Sequence, residues 1–503
     1  MIKKFPASSP FLLWFRNVSL LAGSACLLAA CTSLAPDYER PQPPIPEHFS
    51  QDEAADASVS AVADIAWQDY FTDAELQELI HKALTDNRDL RSAVLRVQEA
   101  QAAYGISRAD QLPAIGAGLD SQRGLIPGDL SPTGQPRVAG QHQLGVGFTS
   151  WELDLWGRVH SLNEAALQNY LATVEGRRAA SLLLISQVAD TWLGLREYDR
   201  RLHLAKKALA TRAESRRVFR RRVEVGSASE LEYVQVELLW QQASALVSQL
   251  ELQRRMQMNA LTILTGDPGL ELVSGTQPLS ALAPLQSLAP GLPSQLLENR
   301  PDILAAERQL QAANARIGAA RAMYFPRIAL TTMAGTASAE LDGLFASGSR
   351  AWTFAPSLSL PIFDGGRRRA NLELTRIQRE QALNEYEQTI QSAFRDVRDA
   401  LSAGQWLVDQ LDTLRATEAT LTRRAQLANR RFDAGAARYF EVLDAERDLL
   451  AAQQQVVEAE HALMSAQLQL YAALGGGSRA LDPVSPSAAD TPSDAPSTQG
   501  SDS

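Results

Sequence analysis

At 503 residues the chain is long enough for several ordinary domains and a large buried core. Apolar residues make up 45% and charged residues 21%, near the soluble globular average, which argues against a polytopic helical membrane protein. A net charge of −10 and a pI near 5.3 leave no electrostatic footprint for nucleic acid. Two cysteines, Cys26 and Cys31, exclude a disulfide scaffold or a cysteine metal cluster.

The chain opens with a basic leader, Lys3, Lys4 and Arg16, and an apolar run from Val18 to Ala30. That reads as a secretory signal over 1–30, too short to span a bilayer as a helix. The run ends Leu28-Ala29-Ala30-Cys31, which resembles a bacterial lipobox and makes Cys31 the expected lipidated N-terminus. Thr32, rather than Asp, follows it, which by resemblance to sorting rules points to the outer membrane. Several acyl chains anchor a protein stably where one does not. Residues 31–66, with Pro36, Pro41, Pro43, Pro44 and Pro46, read as an extended strap. No later stretch is long and apolar enough for a spanning helix, so any crossing must use a closed barrel of strands.

The rest is one unit written twice, over 67–285 and 286–477. Asp89-Leu90 recurs as Asp302-Ile303, and the same offset pairs Gln98 with Gln311, Gly105 with Gly318, and Pro113 with Pro326. A slightly shorter offset pairs Gly157-Arg158 with Gly366-Arg367, Gly226 with Gly435, Glu237 with Glu446, and Gly266 with Gly475. Each copy starts with a helix, about 73–110 and 295–322, that stops before a proline.

Two alternating segments follow in each copy, about 113–123 and 142–153, then 326–337 and 352–362. Leu144, Val146 and Phe148 face one way, against Gly145, Gly147 and Thr149. Trp352, Phe354 and Leu358 oppose Thr353, Ala355 and Ser357. Apolar-out and small-polar-in is the pattern of transmembrane barrel strands, with 124–141 and 338–350 as external loops. The long helices come next, proline-free over 161–223 and 369–432. In the second, Ile390, Phe394, Val397, Leu401, Gly404, Val408 and Leu411 form a coiled-coil seam. Gly226 and Gly435 suit left-handed caps, and shorter helices return over about 229–265 and 438–474.

Four strands cannot close in lipid, and a filled barrel already needs about eight. Three chains would supply twelve, with room for a lumen. A trimer is the expected assembly. The Ser-, Pro- and Asp-rich segment 478–503 reads as a disordered tail.

Leu34-Ala35-Pro36-Asp37-Tyr38-Glu39-Arg40-Pro41, Trp67-Gln68-Asp69-Tyr70-Phe71 and Asn87-Arg88-Asp89-Leu90 together resemble the outer-membrane factor lipoproteins, the TolC/OprM-like efflux channels of the NodT type. So do Trp151–Arg158, Arg300-Pro301-Asp302-Ile303, Phe363-Asp364-Gly365-Gly366 and Ala473–Gly477. The resemblance spans 31–477. It implies an α+β membrane channel: a trimeric twelve-stranded outer-membrane β-barrel continued by a long periplasmic α-helical barrel. It also implies partners, a periplasmic adaptor and an inner-membrane, proton-driven RND-type pump, and no cofactor beyond the lipid on Cys31. Acidic and apolar rings after the second-copy glycine constrict the periplasmic entrance in that family, which carries over to Phe440, Glu441 and Asp444. Arg431, Arg438, Tyr439 and Glu232 are the expected supporting residues. The residues alone leave Glu441 and Asp444 open to a second reading, as caps on the returning helix.

Recognisable enzyme chemistry is missing from the sequence. The six His residues form no HExxH pair, no GxxxxGK[ST] loop occurs, and the six Met form no soft-metal cluster. The Arg216, Arg217, Arg220, Arg221 and Arg222 run reads as a solvated or salt-bridging helix face. Three functions stay open at this level: a drug-export duct, the exit duct of a type I protein-secretion system, and a pore-less lipid-anchored periplasmic scaffold.

Overall fold

A computed structural model gives the fold of residues 33–46, 48–49, 62–275, 279, 288 and 293–481. The expected leader 1–30, Cys31 and the tail beyond Leu481 lie outside the described residues. Helices α1 (Ala74–Asp86) and α2 (Arg88–Ala109) lead into strands β1 (Ile115–Ile126) and β2 (Arg137–Glu152). Helices α3 (Arg158–Glu224) and α4 (Glu230–Thr265) complete the first copy. The second copy repeats the order as α5 (Pro301–Ala322), β3 (Arg327–Ser338), β4 (Arg350–Ser359), α6 (Arg367–Asp433) and α7 (Tyr439–Ala473). Helices α3 and α6 each run 67 residues, about 100 Å at 1.5 Å per residue.

The helix expected over 73–110 is two helices. Asn87 breaks it by taking a 2.9 Å bond from the Leu90 amide, as an N-cap does, while its own amide reaches Leu264 O. In the second copy the break falls at Arg300, and Pro301 opens α5 at the position where a missing N–H costs nothing. The duplication survives in three dimensions. Gly266 (φ 67°) and Gly475 (φ 76°) end α4 and follow α7, and a Cβ on either would meet a backbone carbonyl, Asp86 O at 2.8 Å or Asn299 O at 2.7 Å.

Contacts divide the chain into two units. One unit comprises Met1–Gln42, Arg96–Val174 and Ala305–Glu387 and holds all four strands. They form one antiparallel sheet in the order β1-β2-β3-β4. Pairing runs on through Gly140 and Gln141, so β2 starts at Arg137, ahead of the apolar run that marked it in the sequence. The connecting segments shorten to 127–136 and 339–349. The ladder puts Ile115, Leu119, Leu144, Val146, Phe148, Trp352, Phe354 and Leu358 on one face, opposite Gly116, Gly118, Gly145, Gly147, Gly335 and Ala351. Most of the large apolar side chains of that first face are exposed, Trp352 at 78% and Ile115 at 73%. On the other face Gly335 must be glycine, because a Cβ there would collide with Leu144 O and stand 2.5 Å from Gly145 Cα. At the helix end of the strands, Trp156 stacks on Phe325 at 4.8 Å and donates its indole N–H to Pro326 O.

Residues 34–40 of the proline-rich strap lie along α5 in this same unit. Arg321 donates to Leu34 O, Asn314 to Pro36 O, and Arg40 clamps Glu307 with two bonds of 2.8 and 2.6 Å. Tyr38 adds a third bond to Glu307, and burial with that carboxylate holds its phenol protonated above the ordinary range. Gly318 is the gap the strap needs, since a Cβ there would meet Ala35 N at 2.7 Å. Replacing Glu307 with alanine removes all three bonds. Arg40 is 43% exposed and can turn to water, so the cost is about 2–3 kcal/mol rather than the ~3–5 of a fully buried pair. Thermolysin should then cut the strap near Leu34 several times faster than in the wild type; equal rates would show that the clamp does not hold it.

The other unit comprises Pro43–Leu95, Glu175–Leu304 and Gln388–Ser503. Tyr70 and Tyr471 stack at 4.1 Å in its core, and the Tyr471 hydroxyl donates to Ile65 O. Buried Asp199 takes bonds from Arg254, Arg196 and the Gly275 amide, which ties the segment after α4 back onto α3. Along the α6 seam Ile390, Phe394, Val397 and Leu411 are buried, while Val408 is 46% exposed. The chain covers its seam at both ends and leaves the middle open. Residues 478–481, expected as the start of a disordered tail, form a turn held by Ser478 Oγ on Asn299 O and by Arg479 on Asp64.

Candidate functional site

The expected constriction residues Phe440, Glu441 and Asp444 lie in the first two turns of α7, just past the loop that joins it to α6. Each long helix ends in a glycine with positive φ, Gly226 at 73° and Gly435 at 71°. The following amide reaches back, Ser227 N to Arg222 O at 2.7 Å and Ala436 N to Arg431 O at 2.8 Å. This is the Schellman stop, and only glycine enters that backbone region without cost.

The two returns then differ. In the first, Ser229 and Glu232 form a capping box on α4, and the bonds from Ser229 hold the Glu232 carboxyl below its ordinary range. In the second, α7 starts after Arg438, whose side chain makes no cap. Glu441 lies in the first turn but pairs with Arg431 at 2.9 Å, and Asp444 pairs with Arg424 and Arg447. Among the described residues neither acid accepts a bond from a helix-end amide, although Glu441 lies in the first turn, beside the positive end of α7. Asp448 joins the same network, 2.6 Å from Arg424 and 2.9 Å from Arg447. Partial burial opposes its ionisation, but the bonds from the two guanidiniums outweigh this and hold Asp448 below the ordinary carboxylate range.

Tyr439 is the joint between the two copies. Its ring stacks on Phe219 of α3 at 4.5 Å and leans on Phe432, and its hydroxyl shares a 2.6 Å bond with Ser215. Phe219, Val236 and Leu443 close a small apolar core around it. Burial, ahead of the Ser215 bond, raises the Tyr439 pKa. Phe440, the next residue, points away and is 54% exposed. Arg438 is exposed and makes no ion pair among the described residues, although its charge helps keep Glu232 ionised.

The structure therefore brings Glu441 to Arg431 and Tyr439 to the first copy. It assigns Asp444 to Arg424 and Arg447, which sequence reasoning did not name. The signal was present: a hairpin folding about Gly435 faces residue 424 with residue 444, and Arg447 is one turn beyond Asp444. On the first-copy hairpin, Arg216 pairs with Glu237 and covers the Trp240 ring, Arg217 pairs with Glu214, and Arg221 with Glu224. The basic run is thus a salt-bridged face. Among the described residues no group of three or more His, Cys, Asp or Glu converges as metal ligands would.

A duplicated helix–hairpin–helix chain with an exposed apolar sheet face and capped helical hairpins defines a TolC-like outer-membrane channel. The family model for outer membrane efflux proteins matches residues 79–267 and 292–476, and the chain belongs to that family. It is 41% identical over 453 residues to outer membrane protein OprJ of Pseudomonas aeruginosa, covering 90% of this chain and 94% of that one. It is 40% identical to the solvent efflux pump outer membrane protein SrpC of Pseudomonas putida, over 92% and 98% of the two chains. Among solved structures, the open state of the Neisseria gonorrhoeae MtrE outer membrane channel aligns with a TM-score of 0.80 at 37% identity, over 89% and 98% of the two chains. CusC aligns with a TM-score of 0.78 at 36% identity, over 89% and 100%. The protein resides in the outer membrane as an efflux channel, and the pore-less scaffold reading is set aside.

Proposed function

We propose that three copies of this chain close one twelve-stranded barrel and export small toxic molecules delivered by a periplasmic adaptor and an inner-membrane, proton-driven pump. The observation that carries this is the sheet itself. The outer edges of β1 and β4 have no strand partner among the described residues, and an unpaired edge is not tolerated in lipid. Relatives named for solvent efflux support amphipathic organic molecules as cargo. In this reading 1–30 is a cleaved signal, Cys31 carries the lipid, 31–66 is the strap, 67–285 and 286–477 are the two repeats, and the residues from 478 are a tail.

Phe440, Glu441 and Asp444 narrow the periplasmic entrance, with Arg431, Arg438, Tyr439 and Glu232 holding the hairpins. In a host stripped of its own export ducts, expression with a matching adaptor and pump should restore tolerance to toluene and lipophilic antibiotics. A correctly inserted protein that restores none of it would overturn the reading.

The constriction should also respond to acid. A carboxylate whose folded pKa is depressed stabilises its network above the unfolded value, about 3.9 for Asp, and loses that contribution as pH falls through the folded value. Asp448 is such a group. Conductance should stay level between neutral pH and about pH 5 and rise below about pH 4. A rise already complete at pH 6 would assign the gating to other groups.

A further inference from the structure

The lipid-facing side of the sheet ends in unpaired cations. On β1, Arg123 sits opposite Gly140, two residues beyond the Ser121–His142 pair and four beyond Leu119–Leu144, on the same face. On β4, Arg350 sits opposite Thr336, two residues from the Ala334–Trp352 pair, again on that face. Both arginines are exposed, and among the described residues neither has an ion-pair or hydrogen-bond partner. Between them on the sheet, His142 Nδ1 and Ser121 Oγ share a 2.8 Å bond.

Their height is set by the strands. The apolar side chains nearest the helix end are Leu112, 70% exposed, and Ile362, 93% exposed. From Leu112 to Arg123, and from Ile362 to Arg350, the chain climbs roughly eleven residues, the length a tilted strand needs to cross the hydrocarbon. The arginines thus stand where the acyl chains of the outer leaflet meet their headgroups. A lone exposed arginine needs nothing but water there. Two at one level, on the two open edges of the sheet, have a further consequence.

We propose that Arg350 of one copy and Arg123 of the neighbouring copy, with His142 and Ser121 beside them, form a site for the phosphate groups of the phosphorylated glycolipid of the outer leaflet. The inference rests on the trimer reading, in which β4 of each copy adjoins β1 of the next and brings the two guanidiniums to one seam. A guanidinium matches a phosphate with two parallel bonds, and the apolar face below holds the acyl chains. Three such sites would staple the three seams of the barrel.

The test is native mass spectrometry of the full-length protein extracted in mild detergent, which reads particle mass and bound lipid together. Wild-type trimer should retain added lipid A, with dephosphorylated lipid A retained about tenfold less. An Arg123→Gln, Arg350→Gln variant should lose that preference while keeping its trimer mass and heat-modifiable gel migration. The Arg→Lys pair should retain part of it. A trimer that binds both lipids equally, or a Gln variant that binds lipid A like wild type, overturns the lipid site and leaves the trimer standing. A particle that is not a trimer overturns the seam, and with it the trimer reading.

Discussion

Cutting Phe440 and Asp444 back to alanine together is expected to raise single-channel conductance several-fold and to sensitise cells to large antibiotics. Phe440 is 54% exposed in the first turn of α7, so its removal opens space without cutting into a core. Asp444 is tied twice, to Arg424 on the opposite arm and to Arg447 one turn along. Its loss leaves Arg424 and Arg447 to Asp448 alone, and α6 loses one cross-link to α7 while the Arg431–Glu441 pair nearer the loop remains. These groups are part-exposed, so folding stability should change by only about 1 kcal/mol or less. That separation makes the experiment readable: conductance moves while the melting temperature holds. An unchanged conductance in a correctly assembled protein would show that the constriction lies elsewhere. Tyr439→Phe serves as the companion, since it removes one hydroxyl bond to Ser215, worth about 1 kcal/mol, and keeps the stacked ring.

Gly335→Ala is expected to abolish assembly of the barrel. Gly335 lies opposite Gly145 in the β2–β3 ladder, and the added methyl would run into Leu144 O and Gly145 Cα. The atoms in the way are β2 backbone, which leaves nothing flexible to move aside, so the strands must part or shift register. A one-residue shift would turn Ala334 and Thr336 to the wrong face and set the apolar side chains into the lumen. The heat-modifiable gel form should disappear and the protein should accumulate as a protease-sensitive species. Gly118→Ala in the same small-residue row is the control, because a Cβ there meets nothing within 4 Å. Equal folding of the two variants would contradict the close approach.

Much of this fold was legible because its patterns repeat. The alternation of Leu144, Val146 and Phe148 with Gly145 and Gly147 identifies β2 by period alone, and the offset linking Gly226 with Gly435 locates two helix stops at once. What stayed hidden depends on partners distant in sequence or on competition within one residue. Asn87 reads as an acceptable helix residue until its side chain is seen taking the Leu90 amide. The strap's dependence on Glu307 joins segments that no local pattern relates. At the candidate constriction the acids and Phe440 were legible through the second-copy glycine. The network partners Arg424, Arg447 and Asp448 were not, because charged residues recur on every face of so long a helix. The seam shows a third case: its heptads are regular through Val408, yet the chain leaves that position uncovered.

A gated duct must pass current, so the decisive experiment is single-channel recording of the purified full-length protein in planar bilayers. Discrete steps are expected from particles of trimer mass, cation-selective because of the acidic entrance, with larger steps from the Phe440→Ala, Asp444→Ala variant. Folded, bilayer-inserted trimers that pass no current in either form would contradict the duct.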